Sequence, residues 1–301
     1  MTIESTATPA AVTAGTLGVP GARLYYELRG TGPMLALVGA PMGAQFFTPL
    51  ADLLADEFTV LTTDPRGVGR SPVDDLERDS TPELRADDLA RLLRHLDADP
   101  AVVFGSSGGA VTGLALMQAH PEQVRTVIAH EPPLEELLED RADRRAATDR
   151  MIATYVSDGP AAAWAIFLSE ANIPIDDGPA GAPTESVDHD PASGDHADGA
   201  PVSGQQGERD PQEVADEQHF FLHELRPTTL FQPDLAALRS VSSRIVVGIG
   251  EESAGQVCDL TSQALATELD TLPTMFPGGH IGFVEDPEHF ATRLRTVIGG
   301  S

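Results

Sequence analysis

Short apolar runs alternate with helical patterns over most of this chain, and that alternation limits its fold more than any other feature. Residues 23–28, 34–38, 58–63, 101–104, 126–129 and 244–249 read as strands, with a weaker one at 273–276. Between and after them, helical spacing covers 45–56, 81–97, 107–119, 256–268 and 286–298. Several of the strand runs are apolar throughout rather than on alternate residues. Such strands are covered on both faces, which is the environment of a parallel sheet with helices on either side. The expected class is therefore α/β.

The alternation breaks between 134 and 240, a stretch that reads as mainly helical. The boundaries that follow are a loose tail at 1–11, a core formed by 12–133 and 241–301, and an inserted helical piece at 134–240. Within that piece, residues 176–217 hold 12 acidic residues and one Arg. The part from 176 to 212 is also rich in Pro, Gly and Ser, has little apolar surface to bury, and is expected to be a disordered acidic loop.

One motif carries chemistry. Residues 105–109 read Gly-Ser-Ser-Gly-Gly, centred on Ser107, between the apolar strand 101–104 and the apolar helical run 107–119. A serine on so sharp a strand-to-helix turn leaves room only for small residues two before and two after it, which Gly105 and Gly109 supply. The turn lifts the hydroxyl to a helix N-terminus, where unpaired N–H groups and the helix dipole favour a developing negative charge.

At these residues the chain resembles the α/β-hydrolase family. Val-Gly-Ala-Pro at 38–41 looks like that family's His-Gly-x-Pro turn, with Val38 in place of the histidine. The resemblance implies an oxyanion hole made by the backbone N–H groups of Ala40 and Gly108, with Met42 as a fallback donor. Asp-Pro-Arg-Gly-Val-Gly-Arg-Ser at 64–71 matches the family's D-x-R-G-x-G-x-S loop, to which a structural role is assigned. Pro-Gly-Gly-His at 277–280 falls where the family has its catalytic histidine. The likeness spans 15–133 and 241–299, and 134–240 falls where the family inserts a cap. The expected architecture is thus an α/β-hydrolase fold: a mostly parallel central sheet flanked by helices, with an inserted, mainly helical cap.

His280 is the expected base, because it follows the last strand on a Gly-flanked loop. The acid is less plain. The commonest family position is three residues past Gly250, and there this chain has Ser253. The other family position, after the strand that follows the nucleophile helix, holds Glu131; Glu252 and Glu251 remain alternatives. His219 and His223 are four apart, so they share a helix face, expected to look into the pocket. A metal pair there lacks a visible third ligand. Trp164, Phe167, Phe220 and Phe221 either line a pocket or pack the cap, and Cys258 is read as a core residue.

Composition narrows the partners. There are 47 Asp and Glu against 19 basic residues, all Arg, for a net charge of −28. Nucleic acid needs a basic footprint and an anionic membrane attracts one, so both are excluded as main partners. A single cysteine, Cys258, permits no internal disulfide and argues against a cysteine-based zinc site. The first fifteen residues lack a basic start and an apolar stretch, and no run reaches the ~18 apolar residues of a membrane span. A cytoplasmic protein acting on a small molecule is expected. The resemblance implies an enzyme of the carboxylic ester hydrolase type without metal or organic cofactor, working on an ester, lactone or thioester. It also admits perhydrolase or haloperoxidase-like chemistry, amide cleavage and C–C hydrolysis with the same triad, or a non-catalytic binding protein on the same fold. A serine nucleophile disfavours epoxide and haloalkane chemistry, for which the family uses aspartate.

Overall fold

The computed structural model describes residues 11–171 and 209–300. Its strands are β1 (Val12–Val19), β2 (Ala22–Arg29), β3 (Met34–Val38), β4 (Thr59–Thr63), β5 (Ala101–Ser106), β6 (Val124–His130), β7 (Ile245–Gly250) and β8 (Thr274–Phe276). They form one eight-stranded sheet in the order β1-β2-β4-β3-β5-β6-β7-β8. β2 runs antiparallel to β1 and β4, and every pairing from β4 to β8 is parallel. The helices are α1 (Thr48–Leu54), α2 (Pro82–His95), α3 (Gly108–Ala119), α4 (Arg141–Asp158), α5 (Pro160–Ala171), α6 (Pro211–His219), α7 (Leu225–Thr229), α8 (Leu235–Ser240), α9 (Val257–Glu268), α10 (Gly282–Glu285) and α11 (Pro287–Gly299). The molecule has the α/β-hydrolase fold, with α4 to α8 entering between β6 and β7.

The sheet is buried on both faces, and alternate residues of each strand serve opposite cores. Ala36, Val38, Val103, Val127 and Val247 pack against Leu89, Leu92, Val111 and Leu114 of α2 and α3. Leu35, Leu37, Val102, Phe104 and Ile128 face Leu50, Leu54, Phe290 and Leu294 of α1 and α11. This two-sided burial is why these strands read as unbroken apolar runs. A third, smaller cluster, Met151, Ala163, Phe220, Phe221 and Leu225, holds the inserted helices together.

β1 differs from the sequence reading, which places no strand before 23. Val12–Val19 is nowhere fully buried, so it carries no apolar period; backbone pairing with β2 defines it. The helical reading of 45–56 resolves into a 3₁₀ turn, Ala44–Phe47, followed by α1. The expected loose acidic segment 176–212 lies outside the described residues as far as 208. Its end is shorter than expected, because Asp210 caps Gln212 N–H and α6 begins at Pro211. The loose tail also lies outside the described residues, apart from Ala11.

The loop 64–71 is a polar hub. Asp64, fully buried, accepts hydrogen bonds from the Ala44 N–H at 2.7 Å and from the Arg70 backbone and guanidinium. Arg66 makes a two-pronged ion pair with Asp88 of α2, both contacts 2.7 Å. Gly67 and Gly69 adopt φ of +81° and +55°, which a Cβ would strain. The Gly69 N–H donates to Asp216 of α6 at 2.9 Å, tying the loop to the inserted helices.

Candidate active site

Ser107 stands between β5 and α3 at φ +56°, ψ −126°, a conformation rarely held by a residue with a side chain. Its surroundings hold it there. Its N–H donates to His130 O at 3.0 Å, and its carbonyl accepts from Ala110 N–H at 2.9 Å. The flanking glycines are required by space. A Cβ on Gly105 would run into the Gly109 carbonyl, and one on Gly109 into the Val38 carbonyl. The turn therefore packs the strand, the helix start and the end of β3 backbone against backbone. Ser106, the middle residue between Gly105 and Ser107, is fully buried and turned toward His130.

Glu131 follows β6 and is also fully buried at positive φ, +52°. Its N–H donates to Gly248 O at 3.0 Å, and its Oε1 accepts from Gly250 N–H at 2.8 Å. Its Oε2 lies 2.6 Å from His280 Nδ1. This contact brings together residues 149 apart in the chain. Glu251 and Glu252 are exposed, and neither lines the cavity that holds His280. Ser253, at the position where the family more often has the acid, is fully buried beside Glu131.

Electrostatics couple the pair. Burial alone would push the Glu131 carboxyl up, but the His280 ring and its hydrogen bond outweigh that, with His130 and the Ser253 hydroxyl assisting, and hold it at about 2. Burial disfavours the His280 imidazolium, yet the Cys258 sulfur and the Glu131 carboxylate beside it raise His280 well above the ordinary value. The Cys258 thiol is itself pushed up by burial, so it is neutral near pH 7 and the Glu131 charge supplies the lasting lift. His130, buried among Phe104, Phe276 and Phe290, is held down at about 4 by burial and stays neutral. It packs and does not reach the cavity.

Ser107, His280, Ala40, Gly108 and Met42 all line one cavity of about 420 Å³. Gly108 lies close against Ala40, since a Cβ there would sit 2.6 Å from the Ala40 carbonyl and 3.1 Å from its side chain. The other walls come from the inserted helices: Met151 of α4, Trp164 and Phe167 of α5, Phe220 and Leu225. The aromatic set thus divides, with Trp164, Phe167 and Phe220 lining the cavity while Phe221 stacks on Tyr155.

Two expectations are corrected. Cys258 is not a core residue; it is half-buried in the cavity wall next to His280. Its place at the start of α9, just past a strand end, is the available sequence signal. His219 and His223 do not look into the cavity. His219 lies against Gly67 of the polar loop, and His223 Nδ1 is 3.3 Å from Asp79. Among the described residues no group of His, Cys, Asp and Glu is arranged to hold a metal ion. Sequence reasoning also passes over Glu135 and Glu224, both in the cavity wall.

The family model described as alpha/beta hydrolase fold matches residues 32–171. A Bacillus subtilis (strain 168) protein named uncharacterized hydrolase YraK is 29% identical over 291 residues, covering 94% of this chain and 95% of that protein. Zearalenone hydrolase of Bionectria ochroleuca is 31% identical over 151 residues, 48% of this chain and 57% of that enzyme. Among solved structures, E-2-(acetamidomethylene)succinate hydrolase superposes with a TM-score of 0.62 at 23% identity, covering 96% of this chain and all of that one. No described helix is long and apolar enough to cross a membrane.

Proposed function

The chain belongs to the α/β-hydrolase family, and on that footing we propose that it is a serine hydrolase that cleaves a small ester, lactone or thioester through an acyl-enzyme on Ser107. The observation that carries this reading is the 2.6 Å contact between His280 Nδ1 and Glu131 Oε2, in the wall of the cavity that Ser107 also lines. Hydrolase names among the relatives support the coarser activity.

The steps follow from acyl-transfer chemistry. Nε2 of His280 takes the Ser107 proton as Oγ attacks the carbonyl carbon. Glu131 keeps Nδ1 protonated and stabilises the imidazolium. The oxyanion is bound by the N–H groups of Ala40 and Gly108. The tetrahedral adduct then collapses, and His280 returns the proton to the departing alcohol or thiol. A water, deprotonated by His280, next attacks the acyl carbon; the acid leaves and Ser107 regains its proton. No metal or organic cofactor enters these steps. In this reading the insertion 134–240 is the cap, its described helices α4 to α7 help to shape the substrate pocket, and the location is cytoplasmic.

A fluorophosphonate probe with peptide mass mapping tests it. The expected result is one adduct, on Ser107, absent in Ser107→Ala. A folded wild-type protein that takes no label overturns the hydrolase reading in favour of a binding protein on the same fold.

A further inference from the structure

The cavity's chemistry is uneven. Much of its wall is apolar, from Met42, Phe46, Trp164, Phe167, Phe220 and Val257. Six carboxyl groups share the wall with them: Glu135 and Glu224, with Glu170, Glu213, Asp216 and Glu217. Among the described residues, Arg209 is the only arginine lining it, and both of its hydrogen bonds go to Glu217, which also accepts from Trp164 Nε1 at 2.8 Å. No arginine there is left to meet an anion.

Glu224 stands out within this set. It ends the π-helical turn Phe220–Glu224, a rare local structure often found at functional sites. It is 1% exposed, and its Oε2 has no hydrogen-bond partner among the described residues. The Thr229 hydroxyl and Glu135 Oε2, also on this cavity, are likewise without partners. Arg85 lies nearby but makes no ion pair with Glu224; its guanidinium donates to Thr112, Ser80 and Thr228. All three border this one cavity, where a ligand can supply the partners that buried polar atoms require.

We propose that Glu224 is a specificity-determining residue, which hydrogen-bonds an uncharged oxygen-bearing group of an otherwise apolar substrate and turns away substrates that carry a carboxylate. The proposal rests on the hydrolase reading above and narrows its substrate class to neutral esters and lactones. Burial pushes the Glu224 carboxyl up to about 7, against the pull of Arg85 and with a further push from Asp216. Burial likewise lifts Glu135 to about 7, opposed by Arg144 and aided by Asp140, Glu170 and Glu136. Protonated, each donates to a carbonyl, ether or hydroxyl oxygen; ionised, each accepts from a hydroxyl. Ionised, each also repels a substrate carboxylate, which loses its hydration in the cavity and meets no free arginine there.

Binding to the whole protein is measured by titration calorimetry at neutral pH, with N-phenylbutyramide and its carboxylate counterpart N-phenylsuccinamate as unreactive probes. The neutral probe is expected to bind about a hundredfold more tightly. In Glu224→Gln, which keeps the shape and a donor but cannot ionise, the preference is expected to narrow about tenfold. Equal affinities in the wild type, no binding of either probe, or an unchanged ratio in a folded Glu224→Gln protein would each overturn the proposal. The wild-type ratio stands even if the variant does not fold. Since binding needs no turnover, a retained preference without fluorophosphonate labelling removes the hydrolase reading alone.

Discussion

Glu131 is held at three points, by its own N–H on Gly248, by Gly250 N–H on Oε1 and by His280 on Oε2. Glu131→Gln keeps the size but removes the charge that lifts His280. The expected result is a fall in kcat of roughly 10⁴, by analogy with the loss of a triad carboxylate in a serine protease. Glu252→Gln, at an exposed side chain outside the cavity, is expected to change kcat less than about threefold, and steady-state rates on a chromogenic ester compare the two. The pH profile has a definite sign. In the proposed mechanism His280 works only when neutral, so kcat/KM is expected to climb as pH rises through the His280 pKa, with a midpoint above the ordinary 6.5 that moves down in Glu131→Gln. Stability moves oppositely for the histidine: its contribution is whole below 6.5 and fades as pH rises through the raised value. The Glu131 contribution is present above 4.5 and is lost as pH falls to about 2.

The turn from β5 into α3 makes the next scale concrete. Gly109 fits under the end of β3 only because it has no Cβ. Gly109→Ala forces backbone apart and is expected to cost more than about 2 kcal/mol, read as a lower denaturant midpoint at unchanged slope. This turn was legible in the sequence because sterics dictate residue type at each of its positions. The central strands were legible for a similar reason, since burial on both faces leaves apolar residues little alternative. β1 was not, because an exposed strand held by backbone pairing leaves no mark on its side chains. Cys258 and Glu224 were obscure for another reason. A residue on a helix facing an internal cavity has the same sequence pattern as one facing core or water, and only the packing of α6, α7 and α9 decides which it is. Glu131 was preferred over Glu252 and Glu251 on the family resemblance; the residues alone left all three open, since which one neighbours His280 depends on where a loop from the far end of the chain comes to rest.

Over the whole molecule, charge opposes compaction. At −28, with a basic set of 19 Arg, the folded chain repels itself, and added salt should relieve this. Tm is expected to rise when NaCl is taken from about 0.01 M to about 1 M, over which the screening length falls from about 30 Å to about 3 Å. Calorimetric scans check it; a Tm that falls would mean that attractive ion pairs dominate. The Arg66–Asp88 pair, 4% and 7% exposed, is shielded from that salt. Arg66→Ala would leave a buried carboxylate unpaired and should cost about 3–5 kcal/mol at either ionic strength.

The chain quits the sheet just after β6 and returns on β7, and those strands are immediate neighbours. The two strands run parallel, with His130 opposite Gly248 and Val127 opposite Ile245, so the exit lies at the carboxyl end of β6 and the return about 10 Å back along the sheet, at the amino end of β7. A segment so anchored can be lengthened, shortened or swapped in descent without altering strand order, while the serine and histidine stay on the uninterrupted parts of the scaffold. The exception is Glu131, which stands on the outgoing junction itself. Any recombination that trades one insert for another has to cut downstream of it, so inheritance of the insert is free while inheritance of the junction is not.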